Sequence, residues 1–103
     1  MNMSTDTEVI IDEKIKQETL MPKKFNVILL DDNSTPMDWV VNVLVSIFKH
    51  TETTSQQIML KVHNEGSAVF GTYNYEIAEQ KSVEAVKLSS DQGFPLQLRL
   101  EQE

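Results

Sequence analysis

Leu30-Asp31-Asp32-Asn33-Ser34-Thr35-Pro36-Met37 is the point at which one kind of sequence gives way to another. The apolar run Phe25-Asn26-Val27-Ile28-Leu29-Leu30 before it has the make-up of a strand, and it ends in two carboxylates and an amide. Thr35-Pro36 then opens a helix, with a hydroxyl able to cap and a proline suited to the first helical position. Asp38, three residues after Thr35, falls near the positive end of that helix. The reading is a strand that runs into an acidic strand-to-helix corner. Acceptors on Asp31, Asp32 and Asn33 stand there beside the apolar Leu29, Met37 and Val40. Such a corner suits a cation that carries an apolar group.

Working outward, the helix spacing of Met37, Val40, Val41, Leu44, Ile47 and Phe48 outweighs their strand-favouring composition and predicts a helix over Pro36–Lys49. Thr54-Ser55-Gln56-Gln57 has the form of a capping box, which predicts a second helix over Ser55–Asn64 with Gly66 as its stop. Met59, Val62 and His63 share one face of it. Ser67–Tyr73 reads as a strand. Asn74 caps a third helix reaching Asp91, with Glu76 in its first turn and Gly93 at its end. The alternation of Leu96, Leu98 and Leu100 predicts a final strand over Pro95–Glu101, and Lys24–Leu30 is the first. The order strand-helix-helix-strand-helix-strand predicts an α+β domain with a three-stranded antiparallel sheet packed against three helices.

The chain has 103 residues, enough for one domain with a modest core. Its formal net charge of −7 opposes binding to nucleic acid and to anionic membranes. It contains no cysteine, so disulfides, thiolate metal sites and cysteine nucleophiles are excluded. Residues 1–23 are polar and mainly acidic and read as a flexible N-terminal extension ahead of a core domain over 24–103. There is no basic-then-apolar signal at the start, and no apolar run approaches the ~20 residues of a membrane span. The expectation is a soluble, cytoplasmic protein.

Taken singly, the site residues have ordinary readings. Asp31-Asp32-Asn33 is a solvated turn whose side chains bond nearby amides. A calcium loop fails, because its sixth and twelfth positions hold Pro36 and Asn42 in place of glycine and glutamate. His63 and His50 lack zinc-ligand spacing, and no serine sits in a nucleophile motif. Neither catalysis nor a metal is expected.

In combination the features resemble the ClpS family, bacterial adaptors that deliver N-degron substrates to the ClpA unfoldase. The resemblance rests on Asp32, Thr35-Pro36-Met37, Val40, Met59-Leu60, Val62-His63, Gly66, Glu76, Ala78-Glu79, Lys81 and Pro95-Leu96. It spans about Lys24 to the C-terminus. One departure stands out: the family's Asn-Asp-Asp before a tyrosine is here Asp31-Asp32-Asn33 before Ser34. The acceptor inventory is unchanged, since amide and carboxylate oxygens both take N–H bonds.

The resemblance implies an adaptor, not an enzyme, working without a cofactor as a monomer. Its implied ligands are bulky N-terminal residues (Phe, Tyr, Trp, Leu), and its implied partner is a ClpA-type unfoldase. Asp31, Asp32, Asn33 and His63 would receive the α-amino group, which is mostly protonated at neutral pH. Leu29, Thr35, Met37, Val40, Met59, Val62 and Leu96 would line the side-chain pocket, with Met37 as a gatekeeper. Glu76 and Lys81 would contact the unfoldase, and the N-terminal extension would engage its pore. A different class of reading is an interaction domain like the C-terminal domain of the ribosomal stalk protein, for which the acidic corner and His63 would be incidental. A metal-dependent hydrolase is a third.

Overall fold

Val27 and Leu29 alternate on one face of their strand and enter the core, while Ile28 on the opposite face is 9% exposed between Val69 and Arg99 of the flanking strands. A computed structural model of the chain, describing residues 22–103, shows how this comes about; the extension read over residues 1–21 lies outside the described residues. Strand β1 (Phe25–Leu30) is the middle of a three-stranded sheet of order β2-β1-β3, and both neighbours run antiparallel to it. Helices α1 (Met37–Ser46), α2 (Glu52–Glu65) and α3 (Tyr75–Asp91) complete the expected order with β2 (Ser67–Tyr73) and β3 (Leu98–Gln102). Val27, Leu29, Leu44, Met59, Val62 and Phe70 are at the heart of the core.

The β1–β2 ladder carries a bulge. Val27 pairs with Gly71 and Ile28 with Val69, so Phe70 has no opposite residue. Its carbonyl is satisfied instead by Nε2–H of His50, from the α1–α2 connection. Gly71 leaves room on the sheet for the Tyr73 ring, which occupies the space a Cβ would need.

Three boundaries differ from the sequence reading. Helix α1 stops at Ser46 and not at Lys49. Its last turn widens, with both Ile47 and Phe48 donating to the Val43 carbonyl, and Lys49 takes the left-handed φ of 63°. Ile47 and Phe48 still enter the core, so their helical spacing reported burial and not helix length. Helix α2 begins earlier than Ser55: Thr51 is its cap, and its side chain accepts from Thr54 N–H. The supposed capping box is the first turn itself. Strand β3 begins at Leu98, not Pro95, because Leu29–Leu98 is the last pair before β1 turns into the corner. Leu96 has no strand partner and packs into the core as a loop residue, 3% exposed.

Asn74 caps α3 by accepting from Ile77 N–H, as its sequence predicts. At the far end Phe94 N–H reaches back to the Ser89 carbonyl across Gly93, whose φ is +84°.

Candidate functional site

The corner after β1 is held by a single side chain. Asp32 Oδ1 accepts from the backbone N–H of Ser34 (2.8 Å) and Thr35 (2.7 Å), and Oδ2 accepts from the Thr35 hydroxyl (3.0 Å). Thr35 therefore does not cap α1. Pro36 occupies the cap position with no side-chain bond, and its carbonyl receives Val40 N–H.

Two further contacts set the corner against its neighbours. Asp31 N–H donates to the Gly66 carbonyl at 3.1 Å, which ties the corner to the C-terminal end of α2. Gly66 can turn the chain there because it adopts φ +86°. Helix α2 consequently ends beside Asp31, with Met59 and Val62 buried and His63 exposed. On the other side, Trp39 Nε1–H donates to Ser89 Oγ at 2.8 Å, and Ser89 Oγ–H donates to the Ala85 carbonyl at 2.7 Å. The Trp39 and Phe94 rings lie 5.5 Å apart. Helix α1 is thus fixed to α3 on the side away from the corner.

Between these supports lie two adjoining hollows. The inner recess, about 40 Å³, is lined by Leu29, Leu30, Asp31, Asp32, Thr35, Met37, Val40, Met59 and Leu96. The outer cleft, about 310 Å³, is lined by Asp31, Asp32, Asn33, Thr35, Pro36, Met37, Met59, Val62 and His63. All eleven residues named from the sequence for the amino group and the pocket border one or other hollow. They come from β1, the corner, α1, α2 and the loop before β3. Leu30 and Pro36 border them too and escaped the sequence reading. Leu30 looked like the end of a strand, and Pro36 like a helix starter alone.

Glu76 and Lys81 lie elsewhere, on α3. Glu76 is exposed in the first turn. Lys81 is half-buried: its Nζ donates to the Ile47 carbonyl at 2.8 Å and sits 5.4 Å from the centre of the Tyr73 ring. It holds the frayed end of α1 against α3.

An apolar recess rimmed by acceptors can hold an apolar side chain and a nearby cationic donor together. Among the described residues no group of three His, Asp or Glu side chains is placed to hold a metal ion, and no helix is long and apolar enough to cross a membrane.

Comparison with known proteins agrees with this geometry. Residues 21–99 match the model of the family described as ATP-dependent Clp protease adaptor protein ClpS. The ATP-dependent Clp protease adapter protein ClpS of Leptospira biflexa serovar Patoc is 42% identical over 98 residues, covering 95% of this chain and 87% of that protein. Its counterpart in Wolinella succinogenes is 44% identical over 91 residues, 86% of this chain and 89% of the relative. The structure of Agrobacterium tumefaciens ClpS2 bound to L-phenylalaninamide superposes with a TM-score of 0.76 at 40% identity, covering 80% of this chain and 99% of that one. A family match of this extent displaces the ribosomal-stalk and hydrolase readings, and with it the fold and the corner acquire one explanation: the chain belongs to the ClpS family of Clp protease adaptors.

Proposed function

We propose that this protein captures polypeptides by a bulky apolar N-terminal residue (Phe, Tyr, Trp or Leu) and delivers them to a ClpA-type unfoldase. The observation that carries the reading is the L-phenylalaninamide complex of a 40% identical relative. That ligand combines a free α-amino group with an aromatic side chain, the two features that the acceptor rim and the apolar recess would receive.

In this reading the α-ammonium group offers three N–H donors to Asp31, Asn33 and His63. His63 serves as an acceptor through the unprotonated nitrogen of a neutral ring. Asp32 holds the corner in shape and adds negative charge beside the amine. The recess opens into the outer cleft, with which it shares Asp31, Asp32, Thr35, Met37 and Met59. A side chain enters past Met37, which is 54% exposed, unbranched and borders both hollows. A β-branched first residue, stiff at Cβ, would collide where a Leu or Phe side chain can extend past the methionine.

Burying a Leu or Phe side chain contributes roughly 1.5–3 kcal/mol. Hydrogen bonds to the charged amine contribute about 1.5–3 kcal/mol each. Against this stands an association cost of at least ~4 kcal/mol. With three such bonds the upper ends of these ranges leave about 8 kcal/mol, a Kd on the order of micromolar at the tightest, weak enough for cargo to be handed on. Residues 24–103 form the binding domain, and residues 1–23 serve as the arm that engages the unfoldase. Exposed Glu76 is the α3 contact for that partner, and Lys81 presents the same helix correctly by anchoring α1.

Fluorescence anisotropy with labelled peptides beginning in Phe or Leu tests the reading. Micromolar binding is expected, lost on N-terminal acetylation and weakened about tenfold or more in Asp31→Ala. Equal binding of the free and acetylated peptides would overturn it.

A further inference from the structure

Resting on that reading, we propose that the binding site does not end at the first residue: the groove between α1 and α2 receives an apolar side chain at about the fourth position of the bound polypeptide. The groove measures about 440 Å³ and is lined by Met37, Asp38, Val41, Asn42, Val45, Glu52 and Gln56.

Three features carry the assignment. The first is continuity. Met37 borders the groove, the outer cleft and the inner recess alike, so a chain leaving the recess over Met37 enters the groove directly.

The second is register along α2. His63, Met59, Gln56 and Glu52 follow one another at intervals of four, three and four residues, which places them on one helix face. His63 and Met59 belong to the cleft, and Gln56 and Glu52 to the groove. At 1.5 Å per residue, Gln56 and Glu52 lie about 10 and 16 Å from His63 along the axis. An extended peptide advances about 3.3–3.6 Å per residue. With its amine at His63, its third to fifth residues therefore pass Gln56 and Glu52.

The third is chemistry. Met37, Val41 and Val45 recur every four residues on α1 and form an apolar floor; Met37 is 54% exposed and Val45 38%. Asp38 and Glu52 stand among the lining residues as carboxylates, and no lining residue is cationic. The groove thus fits an apolar side chain in a peptide that is neutral or basic alongside it, and disfavours an acidic one. A second copy of this chain, with its own charge of −7, is a poor occupant.

The test compares two labelled peptides, Phe-Ser-Gly-Leu-Lys and Phe-Ser-Gly-Ser-Lys, on the full chain, with L-phenylalaninamide as a competitor that fills only the recess. Supporting results are about tenfold tighter binding of the leucine-containing peptide in the unmodified protein, the fold-change expected for burying part of one Leu side chain, and loss of that preference in Val45→Asp. Equal affinities in the unmodified protein, or a preference that survives Val45→Asp, would overturn the groove while leaving first-residue recognition intact. No binding of either peptide, or binding that L-phenylalaninamide does not displace, would instead overturn the proposed function. The peptide comparison on the unmodified chain decides the matter even if the variant does not fold.

Discussion

Asp32 and Thr35 are joined twice: Oδ1 of the carboxylate accepts the Thr35 backbone N–H at 2.7 Å and Oδ2 accepts its hydroxyl at 3.0 Å. With Ser34 N–H also on Oδ1, three donors converge on one carboxylate, whereas Asp31 is exposed and is tied to the fold only through its backbone. The two adjacent aspartates therefore answer different tests. Asp32→Ala should destabilise the domain by about 1–3 kcal/mol, the cost of leaving partly buried donors unpaired, and should remove ligand binding as the corner loosens. Asp31→Ala should leave the melting temperature within about 2–4 °C, since exposed sites away from special features change stability by no more than about 0.5 kcal/mol, yet weaken binding about tenfold or more by losing a charge-assisted bond. Thermal melts and anisotropy on both variants separate the roles; equal loss of stability in the two would contradict the assignment.

Lys81 is expected to behave as a structural residue first. Its bond to the Ile47 carbonyl compensates a helix end that Ile47 and Phe48 leave irregular by sharing the Val43 carbonyl, and its ammonium lies over the Tyr73 ring. Lys81→Ala should cost about 1–2 kcal/mol from the lost hydrogen bond and cation–π contact, read as a shifted urea midpoint. Glu76→Ala, on the exposed first turn of the same helix, should not shift it. Any loss of unfoldase binding in Glu76→Ala then reports on contact alone.

The bulge at Phe70 supplies a third expectation. His50→Ala leaves the Phe70 carbonyl without its partner, and should destabilise by about 1–3 kcal/mol. Gly71→Ala on the same strand should also destabilise, by about 1–3 kcal/mol, because the new methyl overlaps a Tyr73 ring already hemmed in by Phe48 and Lys81. Removing that ring in the double variant Gly71→Ala/Tyr73→Ala should cost less than the sum of the two single changes, since the overlap is gone.

Alkaline pH should expose Tyr73. Burial pushes its phenol above the ordinary value near 10, so the folded state retains the proton more firmly than the unfolded chain does. Its contribution is complete below about pH 10 and is lost as pH rises from there through the higher folded value, because only the unfolded chain gains from ionising. Unfolding midpoints of the parent and of Tyr73→Phe, followed from pH 8 upward, should diverge with the parent falling faster.

Asn74 and Gly66 act within a few positions of themselves, and the cap and stop they announce are present in α3 and α2. Thr35-Pro36 marks the break before α1, but the Thr35 hydroxyl turns to Asp32 and Pro36 takes the cap position. The helix spacing through Ile47 and Phe48 misled on length, because burial continues where the hydrogen-bonding of α1 does not. Lys81 could be read as a charged position on a helix, but not as a donor to a carbonyl 34 residues away.

What the sequence by itself determined was the element order and the acidic corner; the residues gathered around that corner were named through the family resemblance. Periodicity, caps and turn chemistry are local, and the apolar positions of each element mark what must be buried together. Only the tertiary structure decided that Lys81 reaches the Ile47 carbonyl, that His50 completes the bulge at Phe70, and that Met37 connects three hollows. Those outcomes depend on which surfaces meet once the helices close on the sheet, and no spacing along the chain encodes the small displacements that choose one hydrogen-bond partner over another.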